Sequence, residues 1–264
     1  MLSFARILRC SADSSFHVVE NGKIGVLKLT RKASRNAISP QMCETISRAA
    51  SLVSASASDI RAMIISGDES CFSAGRDLKA SLVHTHDESR IYLDNALRAV
   101  KDLLNTPIPI VVSIEKICLG LGLELALAGD IRICGTSTQF GFPEINLSLF
   151  PGCGGAVMLP ALLGNVSLAQ DWILTGRRIS ADEARQAAIV SRVVEDGQAF
   201  DESFRIAKDL SGKNRELLIK TKHVVKFDFN NKVNSEWWAV AESFRREVGN
   251  HPDHKMALEL FSRR

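Results

Sequence analysis

The stretch from Glu115 to Pro151 reads EKICLGLGLELALAGDIRICGTSTQFGFPEINLSLFP, and it decides the fold. One carboxylate, Glu124, lies inside an apolar run, and a second, Glu144, follows twenty residues later between a proline and an isoleucine. A charged carboxylate is costly to bury in apolar surroundings, so it is usually paired, shifted in pKa or used in chemistry. An ion pair between Glu124 and Arg132 is one structural explanation. Two such carboxylates in one stretch need an explanation beyond a single ion pair.

Upstream of this stretch, apolar segments of strand and helix type alternate. Alternating apolar residues from 16 to 29 flank Asn21-Gly22, the dipeptide typical of a hairpin turn. Ser39-Pro40 has the cap and first-turn residues of a helix. The spacing predicts helices over 40–55 and 87–104 and strands over 60–66, 109–113, 131–134 and 139–142. This alternation indicates an α/β domain.

Downstream of Pro151 the pattern predicts helices and no further strands. A glycine-rich turn leads into helical segments that we place at 166–174, 181–188, 200–210, 216–226, 231–248 and 252–262. The sequence therefore predicts an α/β core over residues 16–195 and an all-helical C-terminal region over 196–264. Trp237 and Trp238 stand among charged residues in that region, so they are expected to pack on the core or on another subunit.

Composition narrows the class of protein. The chain has 264 residues, of which 45% are hydrophobic and 24% charged, so it can bury a large core. Its net charge of +3 is too weak to indicate a nucleic-acid partner. The six cysteines form no CxxC pair, which argues against a zinc site and favours a reducing compartment. No run of 18 apolar residues is present, so no membrane span is expected.

Residues 1–15 have the composition of a short mitochondrial presequence. Arg6 and Arg9 are basic, no acid precedes Asp13, and Phe4, Ile7 and Leu8 would share one face of a helix. This predicts the mitochondrial matrix, with the cytoplasm as the alternative if the segment is a plain N-terminal tail.

Two glycine motifs give weak signals. Gly120-Leu121-Gly122 resembles the start of a dinucleotide fingerprint, but Leu125 stands where the third glycine is required. The glycines over 152–155 lack the lysine and serine of a phosphate-binding loop, so a tight turn into a helix is the better interpretation.

Three motifs in order resemble those of the enoyl-CoA hydratase/isomerase family, also called the crotonase family. The resemblance covers residues 16 to 261. FSAGRDL over 72–78 is similar to the family's first oxyanion-hole loop, and GLGLELA over 120–126 with Asp130-Ile131-Arg132 is similar to the second. FPEI over 142–145, followed by PGCGG over 151–155, is similar to the third. The resemblance implies a core with the crotonase-like ββα spiral.

The family resemblance also implies roles for these residues. The backbone N–H groups of Ala74 and Leu121 would form the oxyanion hole for a thioester oxygen, at the positive end of the helix that begins near Leu121. Glu124 and Glu144 would hold a water between them, with Glu144 the donor of a proton to Cα. Other substrate contacts are assigned to Ala33, Arg35, Gly75, Arg76, Asp77, Lys79, Gly120, Pro143 and Gly152.

Coenzyme A would enter as part of the thioester substrate and not as a cofactor, and no metal is expected. The family assembles as trimers or as pairs of trimers, so a homotrimer or hexamer is the expected partner state. Leu121 departs from the family pattern, which has glycine there. Its side chain must point away from the thioester or narrow the acyl pocket.

Four functions remain open at this point. The presence of both glutamates favours a hydratase that adds water to a 2-trans-enoyl-CoA. A Δ3,Δ2-enoyl-CoA isomerase would need only Glu144 as base. A hydratase similar to methylglutaconyl-CoA hydratase is the third, and a catalytically silent acyl-CoA-binding or RNA-binding relative is the fourth. Arg48 is the one basic residue in the helix predicted over 40–55, so no nucleic acid is expected to bind there.

Overall fold

The computed structural model of the protein describes residues 7–9, 12–233, 236–249, 256–257 and 259–260. The strands are β1 (Ile7–Arg9), β2 (Ser14–Val19), β3 (Ile24–Leu29), β4 (Ala62–Ser66), β5 (Ile110–Ile114), β6 (Ile117–Leu119), β7 (Ile131–Gly135), β8 (Gln139–Gly141), β9 (Ile179–Ser180) and β10 (Arg192–Val194). The helices are α1 (Pro40–Ser54), α2 (Leu78–Val83), α3 (His86–Leu104), α4 (Leu121–Ala128), α5 (Gly155–Leu163), α6 (Val166–Thr175), α7 (Ala181–Gln186), α8 (Ala199–Ser211), α9 (Arg215–Val225), α10 (Phe227–Val233) and α11 (Glu236–Gly249).

Two sheets organise the α/β core. The larger has seven strands in the order β1-β2-β3-β4-β5-β7-β10, and the smaller has three in the order β6-β8-β9. Strands β3, β4, β5, β7 and β10 run parallel to one another. Every residue of β4 and β5 is buried, as expected for central parallel strands that are covered on both faces. The predicted α/β architecture is confirmed.

The predicted hairpin is formed by β2 and β3, which pair antiparallel over their full lengths. Glu20 and Asn21 adopt φ values of 51° and 53°, and Gly22 follows at 88°. These left-handed conformations are the ones that a tight hairpin turn requires. The helix predicted after Ser39 is also present as α1, because the Ser39 side chain accepts a hydrogen bond from the Met42 N–H at 3.2 Å.

The structure corrects several boundaries of the sequence analysis. Strands do not stop after Pro151, since β9 joins the smaller sheet and β10 extends the larger one beside β7. The helix expected over 231–248 is divided into α10 and α11. The helix expected over 252–262 lies largely outside the described residues.

The N-terminal segment also differs from its predicted form. Residues 7–9 form β1, which pairs antiparallel with β2, where the presequence pattern predicted a helical face. Phe4 and Arg6 of that pattern lie outside the described residues. Among the residues that the structure describes, no helix has the length and apolar character to cross a membrane.

Helix α9 is held to the end of the larger sheet by a cluster of buried charges. Asp130, between α4 and β7, lies 2.6 Å from the Lys222 Nζ and 3.1 Å from the Lys226 Nζ. The same carboxylate accepts a hydrogen bond from the Ile110 N–H at 2.7 Å. Burial acts to raise the pKa of Asp130, but the two lysines hold it below its usual value. This cluster fixes α9 against the starts of β5 and β7.

Replacing Asp130 with alanine should strongly destabilise the protein. Lys222 and Lys226 would remain largely buried without their carboxylate, so the free energy of unfolding should fall by roughly 3–5 kcal/mol. Urea denaturation at pH 7 measures the change. Asp228→Ala is the matched control, because Asp228 pairs with Lys232 on an exposed face and its loss should cost less than about 0.5 kcal/mol. Equal losses in the two variants would contradict this role for Asp130.

Candidate active site

Glu124 lies on α4, a helix in the core of the protein. All eight residues of this helix are buried, and Glu124 itself is 2% exposed. Its Oε1 accepts hydrogen bonds from the N–H groups of Cys153 at 2.9 Å and Gly155 at 2.8 Å. Arg132, the alternative partner suggested by the sequence, donates to backbone carbonyls that include Ile189 O and Gly129 O. The glycine-rich turn therefore holds Glu124 in place of an ion pair with Arg132.

Glu144 lies on a 3-10 turn formed by residues 143–147, which the proline at its first position begins. Its Oε2 is buried and has no hydrogen-bond partner among the described residues. The carboxyl group approaches Gly120 so closely that a Cβ there would lie 2.7 Å from Glu144 Oε1. Gly120 also has a φ of 48°, so this position before α4 favours glycine on both grounds.

Both carboxyl groups are shifted toward their protonated forms. Burial raises the pKa of Glu124 to about 7, although the N–H groups of Gly155 and Cys153 act to lower it. Burial, followed by repulsion from Glu124, raises the pKa of Glu144 to about 8. Since Glu144 receives less stabilisation of its charge, it holds a proton more firmly than Glu124 does. Near neutral pH the pair can therefore share one proton.

The first loop places backbone N–H groups beside the start of α4, and here the structure corrects a predicted donor. The Ala74 N–H donates to the Arg35 carbonyl at 2.9 Å, so it is not free to bind a substrate. The Arg76 N–H, two residues further on, has no acceptor among the described residues. Gly75 between them has a φ of 100° and packs so closely on the end of β6 that a Cβ would lie 2.9 Å from the Leu119 carbonyl oxygen.

The Leu121 N–H is the second available donor. Leu121 is the first residue of α4, where backbone N–H groups have no acceptor within the helix. In the part of the chain that the structure describes, the backbone N–H groups of Arg76 and Leu121 thus have no acceptor, and Gly75, the residue before Arg76, contacts Leu121. The Arg76 N–H replaces the Ala74 N–H as the donor that the first loop can offer.

Glu124 and Glu144 line one cavity of about 60 Å³. This volume holds only a few water molecules. Leu121 also lines the cavity. Of the two arrangements that the sequence left open for its side chain, this agrees with the one that narrows the pocket. The other lining residues come from the first loop, α3, the segment 149–153 and α11: Arg76, Leu93, Leu149, Phe150, Gly152, Cys153, Arg245 and Val248.

The remaining predicted contact residues lie in three different settings. Pro143 starts the turn that carries Glu144, while Ala33, Arg35 and Lys79 are exposed outside the cavity. Asp77 does not face the cavity: its carboxylate caps α2 through the Ala80 N–H at 3.0 Å and lies 2.8 Å from the Arg31 guanidinium. Its predicted contact with substrate is therefore replaced by a structural role. Within the described residues, no group of three or more side chains is arranged to hold a metal ion.

Sequence reasoning did not single out Arg245. This residue follows Trp238 and Ala241 at helical spacing on the buried face of α11, so an arginine in an apolar stripe was the available signal. Trp238 is 7% exposed and packs over Gly154, whereas Trp237 is 66% exposed. The two tryptophans, which the sequence treated alike, therefore face the core and the solvent respectively.

Replacing Glu144 with glutamine should stabilise the protein at high pH. A carboxyl whose folded pKa is raised keeps its full contribution to stability below the unfolded pKa of 4.5 and loses it as pH rises toward about 8. Glutamine cannot ionise, so the variant does not lose this stability as the pH rises. Its free energy of unfolding should exceed that of the wild type by more than about 1 kcal/mol at pH 9. At pH 4 the two proteins should match. Denaturant titrations at the two pH values measure the difference.

Glu69→Gln is the control, because Glu69 is exposed and the same substitution there should give no pH-dependent gain. A stability difference for Glu144→Gln that does not change between pH 4 and pH 9 would contradict the raised pKa.

Comparison with known proteins agrees with these features. The mouse mitochondrial methylglutaconyl-CoA hydratase is 35% identical over 195 residues, which are 73% of this chain and 61% of that protein. A Dictyostelium discoideum protein named probable enoyl-CoA hydratase, mitochondrial, is 31% identical over 242 residues, 92% of this chain and 86% of its own length. The solved structure of an enoyl-CoA hydratase/isomerase from Xanthobacter autotrophicus Py2 is 25% identical, with a TM-score of 0.84 over 99% of this chain and 94% of that one.

The matched region spans about 60% of the length of several curated relatives. The family model described as enoyl-CoA hydratase/isomerase matches residues 19–264. The fold, the ordered motifs and this match together place the chain in the enoyl-CoA hydratase/isomerase family.

Proposed function

We propose that the protein is an enoyl-CoA hydratase, which reversibly adds water in syn fashion to a 2-trans-enoyl-CoA to give a 3-hydroxyacyl-CoA. The observation that carries the proposal is the cavity in which two carboxyl groups with raised pKa values lie beside two free backbone N–H groups. Acid–base chemistry on a polarised thioester needs these two features together.

The thioester oxygen would be bound by the N–H groups of Arg76 and Leu121. Addition of water moves negative charge onto this oxygen, and donors fixed in a site shielded from bulk water stabilise that charge. The N-terminus of α4 adds the partial positive charge of a helix at the same place. Leu121 supplies its N–H as glycine would, while its side chain restricts the space for the acyl group.

Glu124 and Glu144 would divide the proton transfers according to their surroundings. Glu124, whose charge is stabilised by two N–H groups, takes a proton from water as the oxygen of that water bonds to Cβ. Glu144, whose Oε2 has no donor among the described residues and whose pKa is higher, gives its proton to Cα. The pair still holds one proton after addition, now on Glu124, and solvent exchange returns it to the starting state.

Coenzyme A would lie over the exposed residues beside the first loop. Ala33 and Arg35 form part of the turn before α1, and Lys79 follows the loop on α2. All three are exposed, and the two bases could meet phosphate groups. The thioester is then substrate, and the proposed reaction uses no separate cofactor.

An activity like that of methylglutaconyl-CoA hydratase is a second candidate. Relatives with that name in mouse, human and rat are 34–35% identical to this chain. A Δ3,Δ2-enoyl-CoA isomerase is also compatible with the family, and a relative from Zymoseptoria tritici is named enoyl-CoA isomerase/hydratase.

We further propose a homotrimer or a hexamer in the mitochondrial matrix. Large apolar side chains on α9 to α11 are exposed in the single chain, which supports an interface there: Val224, Val225, Phe227, Trp237 and Phe244. Several relatives are named mitochondrial, and the basic residues Arg6 and Arg9 fit that location. The cytoplasm is the alternative.

Hydration of crotonyl-CoA should show a bell-shaped pH dependence of kcat/KM. The active form has one proton on the carboxyl pair, so activity should fall below about pH 7, where both groups are protonated, and above about pH 8, where both are charged. Initial rates from pH 5 to 10 measure the profile. A profile that is flat over this range would contradict proton sharing by Glu124 and Glu144.

Glutamine variants of the two carboxylates separate hydratase from isomerase. Glu124→Gln and Glu144→Gln should each lower kcat for hydration by roughly 10²–10⁴-fold, because each removes one proton-transfer group. Incorporation of labelled water into crotonyl-CoA measures hydration, and conversion of a 3-enoyl-CoA measures isomerisation. An isomerase that needs Glu144 alone would keep its activity in Glu124→Gln. Full hydration by that variant would contradict the two-carboxylate mechanism.

A further inference from the structure

The guanidinium of Arg76 is a positive charge without a partner in the catalytic cavity. Arg76 lies in the first loop and lines the cavity together with Glu124 and Glu144. The residue is half-buried, and its Nε is buried without an acceptor among the described residues. No ion pair joins its guanidinium to a carboxylate in the part of the chain that the structure describes. Burial lowers the pKa of this group, which nevertheless stays charged as arginines do in proteins.

Two arginines that are buried more deeply do have acceptors. Arg132 and Arg245 are each 5% exposed. Arg132 donates to backbone carbonyls, among them that of Ile189, and Arg245 donates to Asp94 Oδ1 at 2.7 Å. A charge held away from water without a partner is costly. Packing alone therefore gives no reason for a positive charge at Arg76.

Arg76 and Glu144 both adjoin one short backbone segment, residues 119–121. Arg76 follows Gly75, which packs on this segment so closely that a Cβ would lie 2.9 Å from the Leu119 carbonyl oxygen. Glu144 packs on Gly120 of the same segment, where a Cβ would lie 2.7 Å from the Glu144 Oε1. The two side chains thus line one cavity from adjacent positions, and their charges act on each other.

The proposed reaction moves a negative charge from Glu124 to Glu144. Before addition the pair holds one proton, on Glu144, and the N–H groups of Cys153 and Gly155 stabilise the charge of Glu124. As the oxygen of water bonds to Cβ, one water proton passes to Glu124, and the proton of Glu144 forms the new bond to Cα. Glu144 then carries the charge, although its Oε2 has no hydrogen-bond donor among the described residues. A positive group beside Glu144 would lower the energy of this step.

We propose that the Arg76 side chain acts through Glu144 as a positioning residue: its positive charge stabilises the carboxylate that Glu144 becomes when it gives its proton to Cα. This inference rests on the proposed hydratase function. A fixed charge acts strongly on a charge that develops nearby where bulk water is excluded. The cavity of about 60 Å³, which holds only a few water molecules, provides that exclusion.

The other ionisable groups around this pair do not supply the same charge. Four of them adjoin the pair from α3, α4, the glycine-rich turn and α11: Tyr92, Glu124, Cys153 and Arg245. Burial raises the pKa of the tyrosine hydroxyl and of the cysteine thiol, so both are neutral near pH 7. Glu124 repels the charge on Glu144, and Arg245 is paired with Asp94. Arg76 is thus the unpaired cation among the described residues that line the cavity.

The pH profile of hydration tests this role. Arg76→Gln keeps the backbone N–H at this position and removes the cation, so the pKa of Glu144 should rise. The alkaline limb of kcat/KM for crotonyl-CoA should then move up from about pH 8 by about half a pH unit or more. At the optimum, kcat should fall by about tenfold or more.

Two further variants separate charge from shape. Arg76→Lys should keep the alkaline limb near its wild-type position and retain part of kcat, because a purely electrostatic role needs the charge and not the guanidinium fork. Arg246→Gln is the matched control, since Arg246 is exposed on α11 and its loss should leave the limb and kcat unchanged.

Two outcomes would overturn the proposal while leaving the hydratase function intact. If Arg76 binds the phosphates of coenzyme A, Arg76→Gln should raise KM and leave kcat and the alkaline limb unchanged. If Arg76 serves packing alone, activity should fall by the same factor at every pH, and lysine should not rescue it. A wild type that does not hydrate crotonyl-CoA would overturn the hydratase proposal and this one together.

Stability measurements test the interaction of Arg76 with Glu144 without any substrate. At pH 9, where Glu144 is charged, Arg76→Gln should lower the folding equilibrium constant at least about threefold more in the wild type than in Glu144→Gln. At pH 5, where Glu144 is protonated, the substitution should have the same effect in both backgrounds. Urea denaturation of the four proteins measures this cycle. Equal effects in the two backgrounds at pH 9 would overturn the role of Arg76, whatever the activity of the variants.

Discussion

A carboxylate inside a protein can carry charge only where fixed dipoles replace the water that it has lost. Glu124, which is 2% exposed, depends on this condition. Two N–H groups of the glycine-rich turn supply the dipoles, and they come from residues about thirty positions beyond Glu124 in the chain. The position of α4, the turn at 151–155 and the start of α5 are therefore fixed by one interaction. If that turn moved away, Glu124 would be a buried acid that holds its proton permanently.

The contrast between the two carboxylates follows from the same condition. Glu144 is close enough to Glu124 to be repelled by its charge, and its Oε2 has no hydrogen-bond donor among the described residues. Burial and this repulsion therefore raise the pKa of Glu144. The two groups therefore differ in how firmly they hold a proton. The asymmetry lies in the backbone around each residue. It would not be visible from the two glutamates considered alone.

Much of this arrangement could be predicted from the sequence, because ordered motifs determine backbone positions. The apolar run around Glu124 indicated burial, and the turn residues Asn21-Gly22 and Ser39-Pro40 indicated the hairpin and α1. The prediction of Ala74 as the donor from the first loop was wrong. The choice between Ala74 and Arg76 depends on which of the two N–H groups donates to the Arg35 carbonyl. That is a long-range hydrogen bond without a local sequence pattern. Strands β9 and β10 were missed because two or three residues are too few to show alternation.

Helix α11 lies over a cavity whose two carboxylates come from residues 124 and 144, about ninety or more positions earlier in the chain. One part of the cavity wall is thus separate in sequence from the two carboxylates. Substitutions along the face of this helix that lines the cavity can change which molecules fit there without disturbing the carboxylates or their N–H partners. Relatives with this architecture could therefore differ in the substrates that they accept while they share the same reaction.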